Sequence, residues 1–218
     1  MESVNPRFEF RAFAQSFGRV EEKMRELSSC QQIRESHEVY ILSRSNLDDP
    51  GEASRVKVNN VKIRDGKMDI KALVGVERGL EQWTPLLKVP FPLQRASIQN
   101  EFCAAMGVSS PACSRSHYTL HPFFEEIIWP DPNLSCAFVF KRRFSFTVNE
   151  CMAETAELLV NGAAIRTVAV ESEDVEALLG AREMLGLQAY QNVSYPLALR
   201  RILGLEPPPG WADDYLGS

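Results

Sequence analysis

Residues 59–73, NNVKIRDGKMDIKAL, limit the possible folds of this chain more than any other stretch. Asp65-Gly66 separates two runs that alternate apolar with charged residues, and both turn residues tolerate the positive φ of a two-residue type I′ hairpin. That turn sets the register: Arg64 opposite Lys67, Lys62 opposite Asp69, Asn60 opposite Lys71. Period-two geometry then gathers Lys62, Arg64, Lys67, Asp69 and Lys71 on one face and Val61, Ile63, Met68 and Ile70 on the other. A face this basic on two neighbouring strands repels itself. It requires a polyanion, or carboxylates supplied from elsewhere in the chain.

Such carboxylates exist. Between Arg55 and Lys71 there are six basic residues and two acids, whereas between Glu150 and Glu183 there are eight acids and two bases. Residues 151–160 and 163–172 predict a second hairpin around Asn161-Gly162. With Val160 opposite Ala163, Glu154 falls opposite Ala169 and shares a face with Glu171 and Glu173, while Glu157 turns outward beside Arg166; a one-residue slip would exchange the roles of Glu154 and Glu157. Residues 137–148 predict a strand with Lys141 and Arg143 on one side and Phe138, Phe140, Phe144 and Phe146 on the other. Residues 4–13 predict another, with Arg7, Glu9 and Arg11 on alternate positions. A further strand is expected over 38–43 and a turn-rich loop over 46–51. Residues 80–91 read as an extended stretch whose two prolines suggest an edge or irregular strand, with Glu81 and Lys88 either lining the lumen or, by preference, in loop or edge positions. Helices are expected over 19–27, 94–106, 120–129, 175–185 and 196–203, and a loosely held tail follows.

These patterns predict an α+β protein: an antiparallel β-barrel of about eight strands, charged inside, with helices covering the bulky outer residues. A lumen of paired cations would grip phosphate oxygens. Carboxylates beside phosphate call for a divalent cation, and Mg²⁺ suits a cluster such as Glu9, Glu171 and Glu173. Phosphoryl transfer is the chemistry such a site would perform.

Composition excludes several alternatives. Hydrophobic residues make up 44% and charged residues 24% of 218 residues, enough apolar side chain for a real core. A net charge of −5 argues against non-specific nucleic-acid binding, and no apolar run is long enough to cross a membrane. Five widely spaced cysteines without a Cys-x-x-Cys, and a charged N-terminal segment unlike a signal peptide, point to a cytoplasmic protein with reduced thiols. The three histidines lack metal-ligand spacing.

The charged motifs together resemble the CYTH superfamily of triphosphate tunnel metalloenzymes, which includes thiamine triphosphatases, inorganic triphosphatases and class IV adenylate cyclases. VKIRDGKMDIK looks like the basic strand, turn and lysine strand of that family, FKRR like its next basic strand, and VESED like its acidic strand. SYPLALRRILG resembles its C-terminal segment. The likeness runs in order along nearly the whole chain, 1–218, as one CYTH-like domain with a helical insert around 89–137. It implies Lys62, Arg64, Lys71, Lys141 and Arg143, joined by Arg11, as substrate-binding residues. It also implies Glu9, Glu171 and Glu173 as catalytic carboxylates, and these three with Glu154 as ligands to Mg²⁺ or Mn²⁺. The implied activity is divalent-metal-dependent hydrolysis of inorganic tripolyphosphate or an organic triphosphate. A non-catalytic polyphosphate- or nucleotide-binding protein and a class IV type adenylate cyclase are the alternatives. The implied partner is a small-molecule triphosphate or polyphosphate, not nucleic acid or membrane, bound by a monomer or homodimer. One departure stands out: the family's Glu-x-Glu-x-Lys is here Arg7-Phe8-Glu9-Phe10-Arg11. The first carboxylate has become an arginine, which weakens divalent-cation binding and favours anions.

Overall fold

The computed structural model describes residues 6–44 and 59–206. The loop expected over 46–51, the basic residues Arg55 and Lys57, and the tail beyond 206 lie outside them. The long strands are β1 (Arg7–Ala14), β2 (Gln32–Ser43), β3 (Asn60–Arg64), β4 (Lys67–Glu77), β5 (Leu80–Pro90), β8 (Leu134–Val148), β9 (Cys151–Val160) and β10 (Ala163–Ser172). They close into an antiparallel barrel in the order β1-β10-β9-β8-β2-β3-β4-β5, and β5 pairs back onto β1. Two short strands, β6 (Leu93–Gln94) and β7 (His117–Tyr118), pair with each other outside it. The closed barrel with helices around it is the α+β architecture that the charge alternation predicts.

Both hairpins have the register that their turns impose. Lys62 pairs with Asp69, Asn60 with Lys71 and Glu154 with Ala169. Asp65, Gly66, Asn161 and Gly162 all have positive φ, the left-handed backbone that asparagine, aspartate and glycine adopt most readily. Glu157 faces outward onto Arg166 at 2.9 Å, as the alternation requires.

Two expectations about strands do not hold. The stretch 80–91 is no sheet edge: β5 is the strand that closes the barrel, hydrogen-bonded to β4 and β1. Pro85 is accommodated at the register shift between Ile70 and Lys71, and Pro90 ends the strand. The outward phenylalanines of β8 are not all covered either. Phe146 is buried, but Phe138 is 54% exposed, although Leu134 and Cys136 at the same end of the strand pack against the helical segments.

The apolar residues form three clusters. Outside β1, β10, β9 and β8, the helices α1 (Arg19–Leu27) and α5 (Val175–Leu185) bury Met24, Leu178, Ala181 and Leu185 against Phe10, Val168 and Val170. Outside β2, β3 and β4, two helical segments bury Ile98, Phe102, Phe123 and Ile127 against Ile63, Met68 and Ile70. The first comprises α2 (Arg95–Ser97), a π-helical turn (Ile98–Phe102) and α3 (Cys103–Met106). The second is α4 (Leu120–Phe123) followed by another π-helical turn (Phe124–Ile128). Full burial of each such side chain contributes roughly 1.5–3 kcal/mol. The third cluster is inside the barrel. Tyr40, Leu42, Ala137, Val139, Ala156, Leu158 and Val160 fill one end of the lumen, and α6 (Tyr195–Ile202) seals it with Tyr195 and Leu199. Only the other half of the lumen remains polar.

Candidate functional site

The polar half encloses a cavity of about 400 Å³, within the range of small-molecule sites. Eight basic side chains line it (Arg7, Arg11, Lys62, Arg64, Lys71, Lys88, Lys141 and Arg143) against four acidic ones (Glu9, Asp69, Glu154 and Glu171), with Asn60, Trp83, Pro85 and Tyr195 completing the wall. The sequence motifs placed Arg11, Lys62, Arg64, Lys71, Lys141, Arg143, Glu9, Glu154 and Glu171 on inward positions, and the barrel brings all nine to this one cavity. Glu173 stands apart: it lies past the end of β10, half exposed, 3.9 Å from Arg7.

The charges are sorted by strand. On β2, β3 and β8 a carboxylate that the sequence did not single out, Glu38, lies almost fully buried. It accepts from Lys62 at 3.1 Å, Arg64 at 3.4 Å and the Tyr40 hydroxyl at 2.8 Å. Burial opposes its ionisation, but Lys62, Lys141 and Arg64 outweigh that and hold its pKa down at about 2. Burial also pulls Lys62 down to about 8, against the attraction of Glu38. Asp69 adds a weaker pair to Arg64 at 3.8 Å. Among the described residues, Lys71 and Lys88 have no ion pair.

Across the lumen, β5, β1 and β10 set Glu81, Glu9 and Glu171 in a row, because Glu9 pairs with both of the others in the strand register. Like charges placed this way repel. Burial, then Glu9, push the Glu81 carboxyl up to about 7, and burial with Glu9 and Glu154 raises that of Glu171. Next to this row lies Arg11, 3% exposed. Its Nε donates to Glu9 at 2.5 Å and Nη1 to Glu154 at 2.9 Å, Nη2 lies 3.8 Å from Glu171, and the guanidinium stacks 4.6 Å from the centre of the Tyr195 ring. Burial disfavours the charge, yet Glu9 and Glu154 keep the pKa of Arg11 well above its ordinary value. Glu154 also takes Lys141 at 2.9 Å and Arg143 at 3.7 Å. Burial would raise its pKa, but Lys141 and Arg11 hold it far below the usual carboxylate range.

Even Mg²⁺, which takes most of its shell from phosphate oxygens and waters, needs one or two carboxylates free to face it, and an ion held by protein alone needs several aimed at one point. Here Glu9 and Glu154 aim at Arg11, and Glu173 meets Arg7. Among the described residues, no three Asp, Glu, His or Cys side chains are placed to hold an ion. With its carboxylates committed to arginines, the donor set therefore does not fit a divalent ion held by the protein alone in this arrangement.

Three buried side-chain polar atoms lack any hydrogen-bond partner among the described residues: Arg143 Nε, Tyr195 Oη and Asn60 Oδ1. All three belong to residues that line the cavity. Buried polar groups are normally satisfied, so their concentration around one space marks where a polar ligand fits. The sequence reading missed Glu38, Asn60, Trp83 and Tyr195, placed Asp69 on the basic face without giving it a role, and preferred an edge or loop to the lumen for Lys88 and Glu81. The alternation through β4 placed Asp69 inward, whereas Lys88 is brought opposite it by a register shift that the sequence pattern does not mark.

No family model matches the chain, and no curated protein does. Solved structures do. A candidate adenylate cyclase from Bacillus halodurans is 9% identical with a TM-score of 0.51, over 91% of this chain and 98% of its own. A candidate adenylyl cyclase from Hippeastrum with a dominant triphosphatase activity is 14% identical, TM-score 0.49, over 93% and 98%. The PH1012 protein of Pyrococcus horikoshii is 16% identical, TM-score 0.48, over 88% and 98%. At these identities the likeness is one of fold.

Proposed function

For a chain with the CYTH tunnel fold, we propose that the lumen receives a triphosphate-type polyanion, either inorganic tripolyphosphate or the triphosphate arm of an organic compound. The observation that carries this reading is the convergence of eight basic side chains and three unsatisfied polar atoms on one blind cavity. Arg64 and Arg143 offer forked donors to terminal phosphate oxygens. Arg143 Nε supplies a donor that is otherwise stranded. Lys71 and Lys88 supply positive charge not already committed to a carboxylate. Lys62 and Lys141, buried against Glu38 and Glu154, can share their remaining protons with the ligand without leaving those partners.

Divalent-metal-dependent hydrolysis of the bound triphosphate, as the resemblance implies, is the second reading. What favours it is the Glu81–Glu9–Glu171 row facing the basic wall, where burial and mutual repulsion raise carboxyl pKa values and suit one of them to take the proton of an attacking water. Calorimetry with tripolyphosphate and a panel of organic triphosphates tests the first reading, and orthophosphate and pyrophosphate release with Mg²⁺ or Mn²⁺ tests the second. Binding that is lost in Arg64→Ala with Arg143→Ala is expected. Absence of binding to every triphosphate would overturn the proposal.

A further inference from the structure

We propose that Arg11 is the resident cation of this lumen, occupying the carboxylates a divalent ion would need, so that the ligand taken up is a metal-free polyphosphate. The inference rests on the triphosphate reading above and specifies the form of that ligand.

The position of Arg11 is fixed from two directions. Its backbone N–H donates to Asn192 Oδ1 at 2.8 Å and its carbonyl accepts from the Val193 N–H at 2.7 Å. Asn192 also donates to the carbonyls of Glu9 and Gly79, tying β1 to the segment between α5 and α6. The side chain is held by Glu9, Glu154 and, at 3.3 Å, the Thr167 hydroxyl, with Tyr195 stacked beneath it. A guanidinium cannot shed its proton under ordinary conditions, so the positive charge at this point is permanent. An ion bound through Glu9 and Glu154 would have to sit beside that charge or expel it from its hydrogen bonds and its ring. Near the mouth, Arg7 lies 3.9 Å from Glu173 and reduces the remaining acidic character there. Arginines thus already neutralise the carboxylates around the lumen, while the opposite wall keeps uncommitted lysines for an anion. A polyphosphate that arrives with its own divalent ion brings charge this wall does not need. A free polyphosphate brings the charge it lacks.

The test uses the full chain and two probes. Mn²⁺ alone, followed by electron paramagnetic resonance, reads metal uptake by the protein without any phosphate. The wild type should leave Mn²⁺ free, and Arg11→Gln should raise Mn²⁺ affinity by roughly tenfold or more, because one positive charge has been removed from beside three carboxylates. Arg11→Lys keeps the charge and should still exclude Mn²⁺, which guards against misfolding of the glutamine variant. Tripolyphosphate calorimetry then reads the sign of the Mg²⁺ effect. In EDTA the affinity should be highest, and excess Mg²⁺ should weaken it several-fold by withdrawing the free anion from solution. Tight Mn²⁺ binding by the wild type, or tripolyphosphate binding that Mg²⁺ strengthens, overturns the inference. If tripolyphosphate does not bind under either condition, the triphosphate reading fails, and the Mn²⁺ titration still decides the role of Arg11.

Discussion

The two walls of the lumen are near mirror images in charge. One wall, on β3, β4 and β8, is basic and contains two buried anions, Asp69 and, deeper, Glu38 from the β2 strand between β8 and β3. The other, on β5, β1, β10 and β9, is acidic and contains a single deeply buried cation, Arg11. Each wall thus carries its own counter-charge. They differ in how the embedded charge can respond. Glu38 is surrounded by cations of which one, Lys62, is poised near pH 8 and can give up its proton. Arg11 is surrounded by carboxylates and cannot change its charge. The basic wall can therefore adjust to a guest, whereas the acidic wall is fixed by its own arginine.

The strongest way to break this comparison is Glu154→Gln. It removes the carboxylate shared by Arg11, Lys141 and Arg143 and leaves buried cations uncompensated, so a loss of about 3–5 kcal/mol in urea or thermal unfolding is expected. Added tripolyphosphate should recover part of it. Glu38→Gln should cost less, because Lys62 can neutralise itself. Next in size is Arg143→Ala, expected to weaken tripolyphosphate binding by roughly 10–100-fold through loss of a charge-assisted donor, with Lys88→Ala weaker in its effect. Calorimetry on both variants at one salt concentration checks the order.

A pH titration of binding sharpens the contrast further. Since Lys62 loses its charge as pH rises through about 8, tripolyphosphate affinity should fall several-fold between pH 7 and 9, and Lys62→Arg should flatten that dependence. The smallest effect belongs to Glu81. Its folded carboxyl titrates near 7, against an ordinary value of 4.5, so the folded state holds a proton the unfolded chain has released. Ionisation therefore opposes folding, and stability falls as pH rises through 7. Glu81→Gln should gain about 1 kcal/mol at pH 8, discounted for partial solvent exposure, and nothing below pH 4.5. Unfolding of both proteins across that range measures it.

The parts of this arrangement that were legible in the sequence are those whose register a turn decides. Asp65-Gly66 and Asn161-Gly162 each leave one pairing open, and from that pairing the inward positions of Lys62, Arg64, Lys71, Glu154 and Glu171 follow by counting in twos. Where another influence sets the geometry, counting fails. β2 begins at Gln32, well before the apolar run that marks it, because the long β8 pairs with it along its whole length. For the same reason Glu38 sits mid-strand instead of at a strand start. Lys88 faces inward because β4 and β5 slip against each other. Tyr195 reaches the lumen from a helix that no strand pattern could place. The part Arg11 plays was the least legible: its partners come from β1, β9 and β10, and nothing local to residues 7–11 distinguishes a substrate-facing arginine from a caged one.

Among the described residues, the apolar stopper formed by Tyr195, Leu199 and the side chains beneath them closes one end of the barrel. A long polyphosphate cannot thread through such a vessel. It can offer only its terminus, and whatever enters must back out by the route it came.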